Sequence, residues 1–255
     1  LDVEKIDPHP DQEVILAQPE AIKVLPFSEA PPQYADIIRE HLNSAAKTKN
    51  KFGALHEAGF TKGQILLIPR GVSIVNPLML ESTLNTSTQI EHLIIIAEQG
   101  SVATLIEILN AQQDTQQFRS QVVSFYIEEG AQVKYRFIQR AGPKLFNIIR
   151  RNAVVEQEGS LTIMDCTHGG ALTQVMTSTH LRGEGAESKA YSLVFADQQQ
   201  QIDMNTETSH HAPRTRTDMQ AKLILNDHAR AIYRGLIRMN KTAPHSTGMQ
   251  REDTL

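Results

Sequence analysis

The chain has 255 residues, 40% of them hydrophobic and 21% charged, a composition that excludes a disordered chain and allows one large core or two smaller ones. A formal net charge of -4 and a pI near 6.2 exclude any global attraction to nucleic acid or an anionic membrane, and 5% aromatic residues with no tryptophan leave few platforms for stacking bases. Cys166 is the sole cysteine, so no disulfide closes within the chain and no multi-cysteine metal centre forms. A reducing compartment is expected, the cytoplasm or, in a plastid-bearing source, an organelle stroma.

Residues 1 to 32 are rich in proline and acids, with apolar bursts at Val14-Ile15-Leu16 and Ile22-Lys23-Val24-Leu25, and read as a linker with one or two extended pieces. The opening LDVEKIDPHPDQEV has acids where a secretory signal carries basic and then apolar residues. From Pro31-Pro32, the residues Tyr34, Ile37, Ile38, Leu42 and Ala45 recur at helical steps, which predicts a helix that fades by Asn50. Its tail of Lys47, Lys49 and Lys51 reads as a solvated end. The expected division is a linker and helical segment over 1–57 and a β core over 58–255.

From about residue 64 to 240 the pattern changes to short apolar runs and period-two alternation. The most apolar run, Leu93 to Ala97, is far shorter than the ~20 residues of a membrane-spanning helix. Breaks fall at Gly100-Ser101, Gly130-Ala131, Gly159-Ser160 and Gly185-Ala186, at intervals of 30, 29 and 26 residues, each behind an acid or an amide. After a break, Ala131, Val133, Tyr135 and Phe137 alternate with Gln132, Lys134 and Arg136. A turn-then-strand unit at this spacing predicts a solenoid whose coils bury their apolar faces against one another, with glycine supplying positive φ at each turn. A sandwich would show turn signals every ~8 to 12 residues. The fold expected is therefore all-β dominated, a β-solenoid with a short N-terminal helical segment.

The stretch SHHAPRTRTD (209–218) places His211-Ala212 where earlier coils have Gly-Ala, with Thr215 and Thr217 on one face and Arg214, Arg216 and Asp218 on the other. No phosphate loop, nucleophile elbow or zinc-protease motif is present, so no enzymatic activity is expected. Cys166 and His168 stand two residues apart on one strand face, a spacing that can share a soft metal ion; His211 and His228 are the other metal candidates. Arg214, Arg216, Arg230, Arg234 and Arg238 form a basic stripe suited to carboxylates, a protein partner or phosphate, and Arg230, Tyr233, Arg234 and Arg238 are the candidates for a partner interface.

Two stretches carry a resemblance. The element His210-x-Ala212-Pro213-x-Thr215, continued by NDHARAIYRGLIR at 226–238, and the run TKGQILLIPRGVSIVNPLML at 61–80 resemble the SufB/SufD family, scaffold proteins of iron-sulfur cluster assembly. The H-A-P-R-T element and the single cysteine resemble SufD more than SufB. The resemblance implies a right-handed parallel β-helix, a scaffold role without catalysis, and a complex with SufB-like and SufC-like proteins, SufC being the ATPase; a homodimer stays open. It implies no cofactor bound by this chain alone, and an iron-sulfur cluster held only transiently in the complex. Family members also carry a later Cys-x-His-Gly element and a SufC-docking helical segment that these residues lack, so the expectation is a C-terminally incomplete core whose strands near 221–239 form an exposed end. Two rival expectations are a carbohydrate-active β-helix enzyme working through Asp197, Asp203 and Glu207, and an autonomous metal-binding protein.

Overall fold

The structure is a computed structural model that describes residues 22–46, 51–111 and 114–255. Its strands are β1 (Lys23–Pro26), β2 (Lys62–Ile68), β3 (Leu78–Leu84), β4 (Thr88–Ala97), β5 (Val102–Ala111), β6 (Gln117–Ile127), β7 (Gln132–Arg140), β8 (Leu145–Val155), β9 (Ser160–His168), β10 (Leu172–Leu181), β11 (Glu187–Ala196), β12 (Gln201–His210), β13 (Arg216–Leu225), β14 (Arg230–Met239) and β15 (Thr247–Thr254). Even-numbered strands stack in the order β2-β4-β6-β8-β10-β12-β14, with β1 antiparallel on the β2 edge. Odd-numbered strands stack from β15 down to β3, and pairing within both stacks is otherwise parallel. This is the expected parallel β-solenoid, in about seven coils.

Alternation explains why each strand lies as it does. In β7 the residues Val133, Tyr135, Phe137 and Gln139 point inward and are buried, whereas Gln132, Lys134, Arg136 and Arg140 are exposed. The inward residues of successive coils, among them Leu105, Val123, Phe125, Tyr135 and Ile149, form one continuous core. Parallel stacking places like positions of consecutive coils side by side, so burial is shared between neighbours along the whole stack.

One corner shows how the coils are joined. The N–H of Gly100 donates to the carbonyl of Glu129 at 2.9 Å, Gly130 to Gln157 at 2.8 Å, Glu158 to Glu184 at 2.9 Å, Gly185 to Pro213 at 3.1 Å and Arg214 to Pro244 at 3.0 Å. These donors all have positive φ, which three of the predicted glycines supply. At the third break Glu158, with φ +51, takes the left-handed position in place of Gly159. Gly159 has another reason to be there: a Cβ would stand 2.9 Å from the Glu156 carbonyl oxygen. The ladder also corrects the register of SHHAPRTRTD, because Arg214-Thr215 rather than His211-Ala212 occupies the Gly-Ala position. Thr215 and Thr217 are buried and Arg216 is exposed, as alternation predicts.

Before the coils, a 3-10 turn at Pro32–Tyr34 leads into α1 (Ala35–Ala46), and α2 (Lys51–Gly59) follows. The predicted extended piece near Ile22–Leu25 is β1, whereas Val14–Leu16, Lys47 and Lys49 lie outside the described residues. The second helix has no counterpart in the sequence reading, because its apolar spacing is short. Both helices lie against the outer face of the even sheet, where Phe27, Tyr34 and Ile38 pack on Ile65, Leu67, Ile94 and Ile96.

Candidate partner interface

The three predicted arginines, Arg230, Arg234 and Arg238, share the outer face of β14 with Ile232 and Leu236, which are 54% and 44% exposed. Two of the arginines bind carboxylates of the neighbouring strand: Arg234 pairs with Asp203, and Arg238 Nη2 lies 3.4 Å from Glu207 Oε1. Gln174 Nε2 donates to the second oxygen of Asp203 at 3.0 Å. The result is an apolar strip with guanidinium groups held upright beside it, a surface suited to a protein partner. Sequence reading found the arginines and missed Ile232 and Leu236, although IYRGLIR alternates them with the arginines. Tyr233 does not join them: it lies on the opposite face of β14 and packs against the solenoid core, where burial raises its hydroxyl pKa.

The four metal candidates are not brought together. Cys166 and His168 share the outer face of β9, and burial, then the Asp165 carboxylate, raises the thiol pKa, which disfavours the thiolate a metal needs. His211 stands at the turn after β12 with Nε2 3.2 Å from His180 Nδ1 and Nδ1 3.0 Å from Asn240 Nδ2. Asn240 also donates to the His210 carbonyl at 2.8 Å, so its amide presents N–H to His211 and leaves the proton of that ring on Nε2, pointing at His180. His228 occupies a separate turn, its N–H bonded to the Gln198 carbonyl. Among the described residues no group of three or more His, Cys, Asp or Glu side chains could hold a metal ion. The acids of the enzyme reading are engaged as well: Asp203 and Glu207 by arginines, and Asp197 by Gln200 Nε2 at 2.7 Å.

Two buried polar constellations were not anticipated. In the interior, Arg119 of β6 donates to Glu91 of β4 through Nε at 3.1 Å and Nη2 at 2.6 Å, and to Glu107 of β5 through Nη2 at 2.7 Å. Gln121 and Tyr135 also donate to Glu107. Burial opposes the charge on Arg119, and the two carboxylates outweigh it, leaving the guanidinium pKa above its ordinary value. One coil further, Arg151 Nη1 donates to Asp165 at 2.7 Å and its guanidinium lies 5.4 Å from the Tyr135 ring centroid. Under the helices, His41 of α1 and His56 of α2 meet His92 of β4, with His41 Nε2 2.7 Å from His92 Nδ1 and His56 Nε2 3.0 Å from His92 Nε2. Their outer nitrogens reach Ser124 at 2.5 Å and Ser120 at 2.7 Å. Burial lowers all three, His41 to about 3 and His56 to about 4, so the imidazoles are neutral and form one chain of hydrogen bonds from β6 back to β6.

Beside α2, a groove of about 500 Å³ is lined by Phe52, Phe118, Phe146, Ile148 and Leu172. No described helix is long and apolar enough to cross a membrane.

Residues 79–255 match the family described as "SUF system FeS cluster assembly, SufBD core domain". The chain belongs to this SufBD family. An "Iron-sulfur cluster assembly SufBD family protein" of Staphylococcus epidermidis is 28% identical over 224 residues, covering 86% of this chain and 48% of the relative. A protein of that description from Staphylococcus aureus is 29% identical over 209 residues, 81% and 45% of the two chains, and the "Iron-sulfur cluster assembly protein SufB" of Bacillus subtilis is 28% identical over 224 residues, 86% and 48%. The chain thus spans about half the length of the curated relatives it matches. The SufBD core match takes in β4 to β15 whole, with the interior arginines and the β14 arginine strip, and begins after α1 and α2. Of the imidazole chain, His92 lies inside the SufBD match and His41 and His56 precede it.

Proposed function

We propose that the chain is a scaffold of the SUF iron-sulfur cluster assembly machinery, of SufD type, acting by holding a SufB-like protein and a SufC-like ATPase rather than by catalysis. The observation that carries this reading is the SufBD core match, which runs from residue 79 to residue 255 and so takes in nearly every coil of the solenoid. The scaffold core is residues 58–255, and the segment over 1–57 is its linker and helical cover. The SufD assignment rests on His211-Ala212-Pro213-Arg214-Thr215 and the sole Cys166; the scaffold role itself is common to both branches. The outer face of β14, with Ile232 and Leu236 between Arg230, Arg234 and Arg238, is the partner contact in this reading. The cluster is cargo of the assembled complex, and the compartment is the cytoplasm.

Size-exclusion chromatography with light scattering on the chain, alone and mixed with SufB-like and SufC-like proteins, tests it. A stable complex that the double substitution Arg234→Glu/Arg238→Glu weakens by about tenfold or more is the expected result. A chain that ignores both proteins, or a complex indifferent to the substitution, overturns the partner contact.

A further inference from the structure

The two outer sheet faces differ. On the even sheet, α1 and the turn residues Phe27 and Tyr34 cover Ile65, Leu67, Ile94 and Ile96, and these residues are buried. The odd sheet has no such cover among the described residues, yet its outer face carries an apolar band of its own. Strand register places Ile138, Cys166 and Leu193 side by side on β7, β9 and β11, and Phe195 beside Ile224 on β11 and β13. Met164 adjoins Cys166 on the same face of β9. Met164 and Phe195 are each 38% exposed and Ile224 is 41% exposed. The band continues onto β5 as Ile108, the register partner of Ile138. Single exposed apolar residues are ordinary, but a band continuous across five strands is a mark of an interaction surface.

The band is edged by positive charge. Lys134, Arg136 and Arg140 stand on the outer face of β7, and Lys222 pairs in register with Leu193 on the other flank. None of these four cations makes an ion pair among the described residues, whereas Lys189 on the same face pairs with Glu187, and Arg234 and Arg238 on β14 pair with Asp203 and Glu207. The face is thus cation-rich in a chain whose net charge is -4. Two copies meeting through this face would set these cations against each other, which disfavours self-association here.

We propose that the outer face of the odd sheet docks an amphipathic helix with acidic edges supplied by another protein chain. The helix supplies what α1 supplies to the even sheet, an apolar stripe on a half-covered sheet, and its carboxylates meet Lys134, Arg136, Arg140 and Lys222. This surface is separate from the β14 strip and goes beyond the scaffold reading.

Two synthetic peptides of roughly 18 residues, about five helical turns, provide the test. One has a leucine stripe flanked by glutamates; the other has lysines in their place. Fluorescence anisotropy with this chain, and no other SUF protein present, keeps the outcome independent of the assembly reading. The glutamate peptide binds saturably and loses at least tenfold in affinity on Arg136→Glu/Lys222→Glu, while the charge-reversed protein gains affinity for the lysine peptide. Both positions are on the surface, and thermal melting confirms that the variant is folded. Equal binding of both peptides, binding that the charge reversal leaves unchanged, or no binding of the glutamate peptide overturns the proposal, and so does a dimer in light scattering that the same reversal abolishes.

Discussion

Arg119 in β6 and Glu107 in β5 meet across the interior of the solenoid, Nη2 to Oε1 at 2.7 Å, with both side chains buried. The guanidinium holds Glu91 as well, so it bridges two buried carboxylates. Arg119→Met strands both. The expected loss is roughly 3–5 kcal/mol in urea unfolding, because a buried charge without its partner keeps its full desolvation penalty. Arg39→Ala, which removes an exposed pair with Asp36, changes stability by less than about 0.5 kcal/mol. Replacing Arg119, Glu91 and Glu107 together by apolar residues of similar size recovers most of the loss, since no orphaned charge remains.

The imidazole chain makes attachment of the helices dependent on pH. Burial holds His41 at about 3 and His56 at about 4, below the ordinary 6.5, and Arg150 adds to the lowering at His56 and His92 while Glu57 faces Arg150 from α2. A depressed imidazole pKa means that the detached state binds protons the docked state cannot. Docking is therefore fully favourable above pH ~6.5 and weakens as the pH falls from there toward 4, by about 1.4 kcal/mol per pH unit for each imidazole. Hydrogen-exchange protection factors, corrected for intrinsic rates, should drop over Ala35–Ala46 and Lys51–Gly59 between pH 7 and 5 while β7 and β9 keep theirs. Equal loss in both regions would show that the helices do not detach by themselves.

Two glycines separate backbone conformation from crowding. Gly71 has φ +68 with nothing within 4 Å of a would-be Cβ, so Gly71→Ala bears only the left-handed penalty, about 1 kcal/mol. Gly169 has φ +78, and a Cβ there would overlap the Ala141 carbonyl oxygen. Gly169→Ala should therefore lower the thermal midpoint several times as much as Gly71→Ala, because the adjacent coil must move.

Cys166 should behave as a sluggish thiol. Burial first, and the Asp165 carboxylate second, raise its pKa. Alkylation by iodoacetamide at pH 7.5 is expected to be slower than for free cysteine, with the rate rising through an inflection above the ordinary ~8.5. Fast alkylation with a low inflection would mean a stabilised thiolate and would return Cys166 and His168 to consideration as metal ligands.

The partner strip was half legible. Arg230, Arg234 and Arg238 stand out because charge at every fourth position of a strand marks one face, and the same alternation already puts Tyr233 on the opposite face. Ile232 and Leu236 share the even positions of the arginines and are passed over because the charge dominates that face. The imidazole chain left no local signal: His41, His56 and His92 come from two helices and a strand, and each looks like an isolated histidine.

Alternation in segments such as Ala131 to Phe137, and Gly-small turns recurring about once per coil, determined the β-solenoid from sequence alone. That is physically reasonable, because the side-chain period of a strand and the positive φ of a turn are properties of a few adjacent residues. What only the tertiary structure decided is which distant side chains meet. Arg119 finds Glu91 and Glu107, and Arg214 takes the turn position that His211-Ala212 had suggested, because stacking fixes the register of one coil on the next. Register is set by hydrogen bonds between coils and by burial shared across them, and neither is encoded within a single coil.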